Sequence, residues 1–586
     1  MMISNFKKIA LLFASAFVWL SGYCVPAMPG LLRAMQPDGS TVSIYLQGDE
    51  YNSSAYSSDG YLLTSDDEGY YVFATLDKEG LPVATDMREI NPEMRSEAVN
   101  ARLRAIDKQK VIEAWARQQE KAEGMMRRGG PGLSKTRFPS LGEQRALVIL
   151  VEFQNRSFFV ENPNDYFTRM LNEEGFSDDD GTGSARDFFL QGSAGNFSPH
   201  FDVYGPVLLP EDGQYYGENI GGRQDANVSH MIIQACDLLD DTVDFSIYDN
   251  DKDGYIDNVY VFYAGYGEAD GGGSNTIWPH SYDIIYPLHF YDGVKLEHYA
   301  CSNEYQAYYK KPVGIGTFCH EFSHVLGLPD LYSTNYGRVF GPDSWDLEAS
   351  GSYNNNTRTP PTFSAFERYA LDWLQPVTLE PGEYELPHIL DSNLAYIVPT
   401  SKRNEYFILE NRQQAGFDSF IPGHGMLVWH IDYNYNIWLA NSVNNNPDHQ
   451  YVDIVEADNI LTSATRDGDT FPGASNVTEF SCQTTPALRS WADKDLLLRI
   501  YDIRETADGI IRFKVEGCEE SSVGGLVVDD MPLRIVGHTV VPLRDDLVVY
   551  DIHGAKVGAG GCGEITLPAG IYIAVAEGKA RKFVIH

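Results

Sequence analysis

The chain is short of basic residues: 44 Lys and Arg stand against 83 Asp and Glu, a formal charge of -39 over 586 residues. So acidic a surface repels phosphate backbones, which excludes nucleic acid as a partner. Long apolar runs are missing too. The longest, Ile9 to Leu20 behind Lys7 and Lys8, is too short to cross a bilayer comfortably. With that basic flank it reads as a secretory signal over residues 1–24, cut after Cys24 or Ala27, which places the mature chain outside the cell or on a bacterial cell surface. Nothing later in the chain is a candidate transmembrane helix. Cys24 keeps a lipid-anchored alternative open, although bulky Tyr23 stands where such signals prefer a small residue. Cysteine is scarce: beyond Cys24 there are Cys236, Cys301, Cys319, Cys482, Cys518 and Cys562. An exported chain permits their pairing, in combinations that sequence alone does not choose among.

The length exceeds one domain, and a 43% apolar content suffices for several cores. Residues 25–128 alternate apolar and polar residues between Gly and Asp turns, as hairpins do, and turn charged and helical from Glu93 onward. They end in the basic, Gly-rich stretch Met125 to Gly132, where proteolysis concentrates. We therefore expect a propeptide cut between Arg127 and Arg137, the alternative being a permanent N-terminal domain. With no cysteine left there after signal removal, latency has to come from an aspartate or from occlusion of the cleft. A second unit, 129–376, opens on the buried run Ala146 to Val151. Residues 377–520 read as a β-rich, sandwich-like domain. Residues 526–586, beyond the Ser521 to Gly525 linker, form a small β-domain of short strands split by Gly turns.

Chemistry concentrates at His320-Glu321-Phe322-Ser323-His324, with Gly327 and Asp330 after it. Histidines four apart leave one face of a helix and can grip a single zinc ion. Glu321 points toward a water activated at that metal and can serve as general base. Gly327 permits the turn that ends the helix, so that the chain doubles back and brings Asp330 in as third ligand, leaving the fourth position open. Phe318, Phe322, Val325 and Leu326 give this helix a buried stripe.

A second metal pattern runs from Asp249 to Asp257. Asp249, Asp251, Asp253 and Asp257 occupy calcium-loop positions 1, 3, 5 and 9, with Gly254 at 6 and the Tyr255 carbonyl at 7. Tyr260 stands where an EF-hand carries its bidentate glutamate, so the loop leads into a strand and its calcium is structural. Asp467 and Asp469 offer weaker calcium spacing.

GTFCHEFSHVLGLPDLY (Gly316 to Tyr332) closely resembles the active-site segment of the immune inhibitor A family of secreted zinc metallopeptidases. Upstream, SARDFF (184–189), SAGNFSPHFDVYGPV (193–207), Tyr215 to Gly217 and Trp278 to His280 resemble blocks of that family. Downstream, WDLEASGSYN (345–354), TPPTFSAFERYALDWL (359–374), NEYFILENRQQ (404–414) and PGHGMLVWHID (422–432) continue the likeness, which covers most of residues 40–515. The resemblance implies a metzincin-like peptidase domain, α/β (α+β) by its mix of strands and helices, and the turn spacing after Pro376 adds β-rich, sandwich-like domains behind it. The resemblance also implies zinc on His320, His324 and Asp330, and protein or peptide substrates.

One departure stands out: Glu348 occupies the place of the methionine that lies beneath the zinc in metzincins. Either the turn survives with another side chain on its floor, or Glu348 replaces Asp330 as ligand, or the enzyme is weakened. Tyr353 lies close enough in sequence to polarise a scissile carbonyl. The last segment resembles the C-terminal sorting domains that send bacterial proteins across an outer membrane, which implies secretion machinery as a partner. The leading expectation is a secreted zinc endopeptidase made as a precursor and stabilised by calcium. Its competitor is a surface binding or adhesion protein on an inactive peptidase scaffold; oligomeric state is not legible.

Overall fold

The computed structural model describes residues 30–48, 53–66, 69–78, 80–123, 138–220, 224–284, 289–334, 339–402, 404–491, 496–518, 533–536, 538–542, 546–551, 555–559, 565–568, 570–576 and 579–585. The signal segment, Cys24, the Arg127 to Arg137 cleavage region, the Ser521 to Gly525 linker and Cys562 lie outside these. Two compact units emerge: residues 1–494 with 500–515, and residues 495–499 with 516–586. Among the described residues no helix is long and apolar enough to cross a membrane.

Six consecutive antiparallel strands from Leu32–Met35 to Pro82–Arg88 make a meander, each pairing with the next. Helices Glu97–Leu103 and Lys108–Glu123 follow. Alternation along these strands buries Leu32, Ala34, Val42, Ile44 and Phe73, and the same core takes in Ala269 and Trp278 from much later in the chain. Met35 N–H donates to Gly271 O at 3.2 Å across that junction.

The sheet that carries the site has five strands, in the order His280–Asp283, His298–Tyr305, Val259–Tyr266, Gly142–Glu152, Phe197–Leu208. Only the His280–Asp283 edge strand is antiparallel to its neighbour. A parallel sheet needs cover on both faces, and Ala146 to Val151 supplies it by period two. Ala146, Val148 and Leu150 pack toward helices Pro163–Asn172, Ala185–Gly192 and Ile315–Val325; Leu147, Ile149 and Val151 pack toward helix Val228–Leu239.

Downstream, a five-stranded sheet runs Val377–Thr378, Tyr396–Pro399, Glu405–Arg412, Gly425–Asp432, Val452–Ile454, and a four-stranded sheet joins Gly382–Leu386, Ile511–Gly517, Leu498–Glu505 and Glu479–Ser481. The second unit holds a three-stranded and a four-stranded sheet. The chain is thus a mixed α/β, multidomain protein. Not every cysteine is in a disulfide: Cys236, Cys301 and Cys319 are buried thiols, while Cys482 and Cys518 are disulfide-bonded.

Candidate metal centre and active site

Helix Ile315–Val325 is held in one rotational setting by its aromatic stripe. Phe322 packs edge-on against Phe138 at 5.0 Å and Phe201 at 5.3 Å, and Phe318 against Phe201 at 5.0 Å. Gly316 lets the helix start close in: a Cβ there would stand 2.0 Å from Ser352 O. At the other end Gly327, at φ +99°, donates to His324 O at 2.9 Å while Leu328 N–H reaches Ser323 O at 3.0 Å, a glycine cap that reverses the chain.

This reversal assembles the ligand set. His320 Nε2 and His324 Nε2 are 3.2 Å apart, and Asp330 Oδ1 lies 3.5 Å from the first and 3.2 Å from the second. Each imidazole turns its other nitrogen to a backbone carbonyl, His320 Nδ1 to Leu347 O at 3.0 Å and His324 Nδ1 to Leu328 O at 2.8 Å. A carbonyl only accepts, so Nδ1 carries the proton and both Nε2 lone pairs face the Asp330 oxygen. Burial, helped by the neighbouring His324, pushes His320 down to about 4 and keeps it neutral, the form that ligates. Asp330 is fully buried, and Asn441 fixes both its ends: Asn441 Oδ1 accepts the Asp330 N–H at 2.9 Å and Asn441 Nδ2 donates to Asp330 Oδ2. Asn441 gives no signal in the sequence, being 111 residues away.

Glu348 joins the same four-residue group, but from the opposite side. Its Oε2 is 3.7 Å from His320 Nδ1 and 3.3 Å from His324 Nδ1, the nitrogens already turned to carbonyls. It is wholly buried, neither carboxyl oxygen has a hydrogen bond, and burial together with Glu367, Asp330 and Asp346 pushes it well above the carboxylate range. Glu321 is 1% exposed with Oε1 unbonded, and burial first, Asp330 second, push it well upward too. Tyr353 is half-buried, packs against the core of the N-terminal sheet and is not in the metal group.

Under the floor lies a network that sequence reading missed. Arg412, 0% exposed, donates Nε to Asp418 Oδ2 at 2.7 Å, Nη2 to Thr362 O at 3.1 Å and Nη1 to Glu410 Oε1 at 3.3 Å. Asp346 Oδ1 accepts the Glu348 N–H at 2.8 Å, which ties the floor turn to these buried charges.

In the acidic loop, carboxylate oxygens of Asp249, Asp251 and Asp257 come together, and Asp253 does not join them. Asp253 Oδ1 instead accepts the Tyr255 N–H at 3.0 Å, while Asp249 takes the N–H groups of Asp253 and Gly254 at 2.9 and 3.0 Å. Lys252 at φ 63° and Gly254 at φ 90° make the tight turn. Burial, with Asp251 and Asp249 adding repulsion, pushes Asp257 up to about 7.

Residues 143–378 match the family described as immune inhibitor A peptidase M6, catalytic domain. The chain is 29% identical over 241 residues to the pre-pro-metalloprotease PrtV of Vibrio cholerae, a match covering 36% of this chain and 26% of that protein. It is 23% identical over 278 residues to immune inhibitor A of Bacillus thuringiensis subsp. alesti, covering 40% of each. The matched stretch thus spans about a quarter of the length of PrtV. These likenesses support a metallopeptidase, a metal-dependent peptide-bond hydrolase, in the stretch that matches, residues 143–378.

Proposed function

We propose that the protein is a secreted, zinc-dependent endopeptidase, made as a precursor, in which His320, His324 and Asp330 hold the metal and Glu321 is the general base. The observation that carries this reading is the convergence of two imidazole Nε2 atoms and one carboxylate oxygen within 3.2 to 3.5 Å of one another. Two imidazoles and a carboxylate suit zinc, and a set of three leaves a coordination position open. Zinc held there supplies Lewis-acid polarisation of the scissile carbonyl and of the attacking water. Glu321 takes a proton from that water as its oxygen bonds to the carbonyl carbon, and passes the proton to the amide nitrogen as the C–N bond breaks. The carbonyls of Leu347 and Leu328 keep the imidazoles aimed, and Asn441 keeps Asp330 in place. Glu348, on the Nδ1 side, lines the floor and is not a ligand in this reading.

Residues 1–24 act as the signal and 25–128 as the propeptide, while 377–520 and 526–586 serve as accessory and sorting domains. Incubation of processed protein with casein tests the activity. We expect cleavage that a zinc chelator abolishes and added zinc restores; cleavage indifferent to chelation overturns the reading, and no cleavage at all leaves a binding scaffold.

The loop from Asp249 to Asp257 is a structural calcium site in the same proposal, with Asp249, Asp251 and Asp257 as carboxylate ligands, Asp253 bracing the turn and the Tyr255 carbonyl completing the set. Calcium at a hundredfold its Kd would add about 2.7 kcal/mol. A calcium-selective chelator should therefore lower the melting temperature by several degrees, and Asp251→Asn should blunt that response. A melting temperature indifferent to calcium sinks the assignment.

A further inference from the structure

A cleft of about 390 Å³ opens where the N-terminal sheet meets the central one, lined from the first by Gln36 and from the second by Phe153, Arg156, Gln214, Tyr263 and Ile277, among others. That volume is in the range that takes a small ligand. Three of its side chains, Gln36, Gln214 and Arg156, present donors. Gln36 Oε1 accepts the Tyr71 N–H at 3.1 Å, so the side chain is fixed with Nε2 as the remaining arm. Gln36 is 4% exposed, and that Nε2 has no hydrogen-bond partner. A buried amide donor without an acceptor costs stability, which points to an acceptor in its place when the cleft is filled. Gln214, exposed at the rim, has its Oε1 taken by Asn155 Nδ2 at 2.6 Å, which leaves Nε2 to donate.

The third donor is an exposed cation at the rim, Arg156. Arg156 lies across Gly265, φ +101°, where a Cβ would stand 3.3 Å from Arg156 Cγ, so the glycine is the bed for its stem. Its guanidinium carbon sits 5.1 Å from the Phe159 ring centre and 6.0 Å from that of Tyr266. Among the described residues no ion pair is formed by this guanidinium. The acid that acts on it, Glu304, is fully buried and spends its oxygens on the N–H groups of Phe159 at 2.7 Å, Gly265 at 3.1 Å and Val160 at 3.3 Å. In a chain of net charge -39, an arginine lining the same cleft as two amide donors is a selective feature. Phe153, Tyr263 and Ile277, at 4%, 1% and 2% exposure, supply apolar wall.

We propose that this cleft binds the free carboxylate end of a short peptide with an apolar last residue, and that the bound peptide clamps the N-terminal sheet onto the central one. A carboxylate only accepts, which matches the donors of Gln36, Gln214 and Arg156. Because the cleft is built from both parts, a ligand in it favours their docked arrangement by its differential affinity. That such ends are abundant near the protein rests on the peptidase reading; the binding itself does not.

The full chain carrying Glu321→Ala separates the two, since its turnover is too slow to consume the probe. N-acetyl-Leu-Leu with a free carboxylate, the same peptide as its amide, and inorganic phosphate are titrated by calorimetry and by melting temperature. The acid should bind saturably at one site and raise the melting temperature; the amide should bind at least ten-fold more weakly, as a lost charge-assisted hydrogen bond implies. Arg156→Gln should weaken the acid by ten- to a hundred-fold, and Gln214→Leu by a few-fold, with unliganded melting temperatures unchanged. Equal binding of acid and amide, binding of phosphate without the acid, or full affinity in Arg156→Gln overturns the proposal. Casein cleavage can fail while this binding holds, and the reverse.

Discussion

Glu321→Ala should lower the rate of peptide hydrolysis by roughly 10³ to 10⁴-fold while the bound metal stays in place. The side chain follows the first histidine on the same helix, so it leaves the axis about 100° away and has no part in the ligand set. Its Oε1 has no hydrogen bond and the residue is 1% exposed, so the fold gains nothing from the carboxylate. Glu321→Gln keeps the shape, cannot take the proton, and should lose as much. Melting temperature should not fall in either variant, because an unbonded buried carboxylate is removed. Quenched-peptide kinetics beside metal analysis and thermal melting separate these effects. More than a tenth of the parental rate in either variant would mean that another group moves the proton.

Arg412→Ala should cost roughly 3 to 5 kcal/mol, the effect of removing one partner from a buried ion pair. The guanidinium is closed in by Asp418, Glu410 and the Thr362 carbonyl, and its loss strands both carboxylates in a dry interior. Burial pushes Asp418 upward, yet the charge and hydrogen bonds of Arg412, with His388, overcome it and hold the carboxyl down at about 2. Asp418 therefore contributes stability that is fully present above its ordinary value near 3.8 and is lost as pH falls through about 2. In Arg412→Ala the sign reverses: burial then dominates, so the variant is worst at neutral pH and recovers part of its deficit as pH falls toward 4. Urea unfolding at pH 7 and pH 4 measures both quantities. A deficit below about 1 kcal/mol at pH 7, or one that widens toward pH 4, contradicts this account. Activity should fall with stability, since the same network reaches the floor turn through Asp346.

How much of this was legible depended on range. The histidine pair follows from helical period alone, and Gly327 announces its turn because φ +99° suits glycine. Ala146 to Val151 reads as a doubly covered strand because both its faces are apolar, and the two core clusters divide it accordingly. Asp330 was suggested by spacing, but its anchor Asn441 arrives from a different sheet region with no local pattern. Nothing in the sequence singles out Glu410 and Arg412: polar residues at period two would suit a solvent face, yet both are fully buried because Arg412 meets Glu410, Asp418 and the Thr362 carbonyl. Loop positions 1, 3 and 9 of the acidic turn gather as their spacing says, whereas position 5, Asp253, turns to the backbone of Tyr255. The Gln36, Gln214 and Arg156 cleft had no sequence signature, since its three donors come from separate elements that meet only in the fold.

The side from which each carboxylate approaches distinguishes Asp330 from Glu348, and metal stoichiometry tests that directly. Wild type, Asp330→Asn and Glu348→Gln are stripped, dialysed against limiting zinc and assayed for bound metal. The account predicts one zinc per chain, additional to calcium, in wild type and in Glu348→Gln, with affinity in Asp330→Asn reduced at least a hundredfold. Retention of zinc by Asp330→Asn with its loss from Glu348→Gln would contradict it, making Glu348 the ligand and the Nδ1 side the metal's.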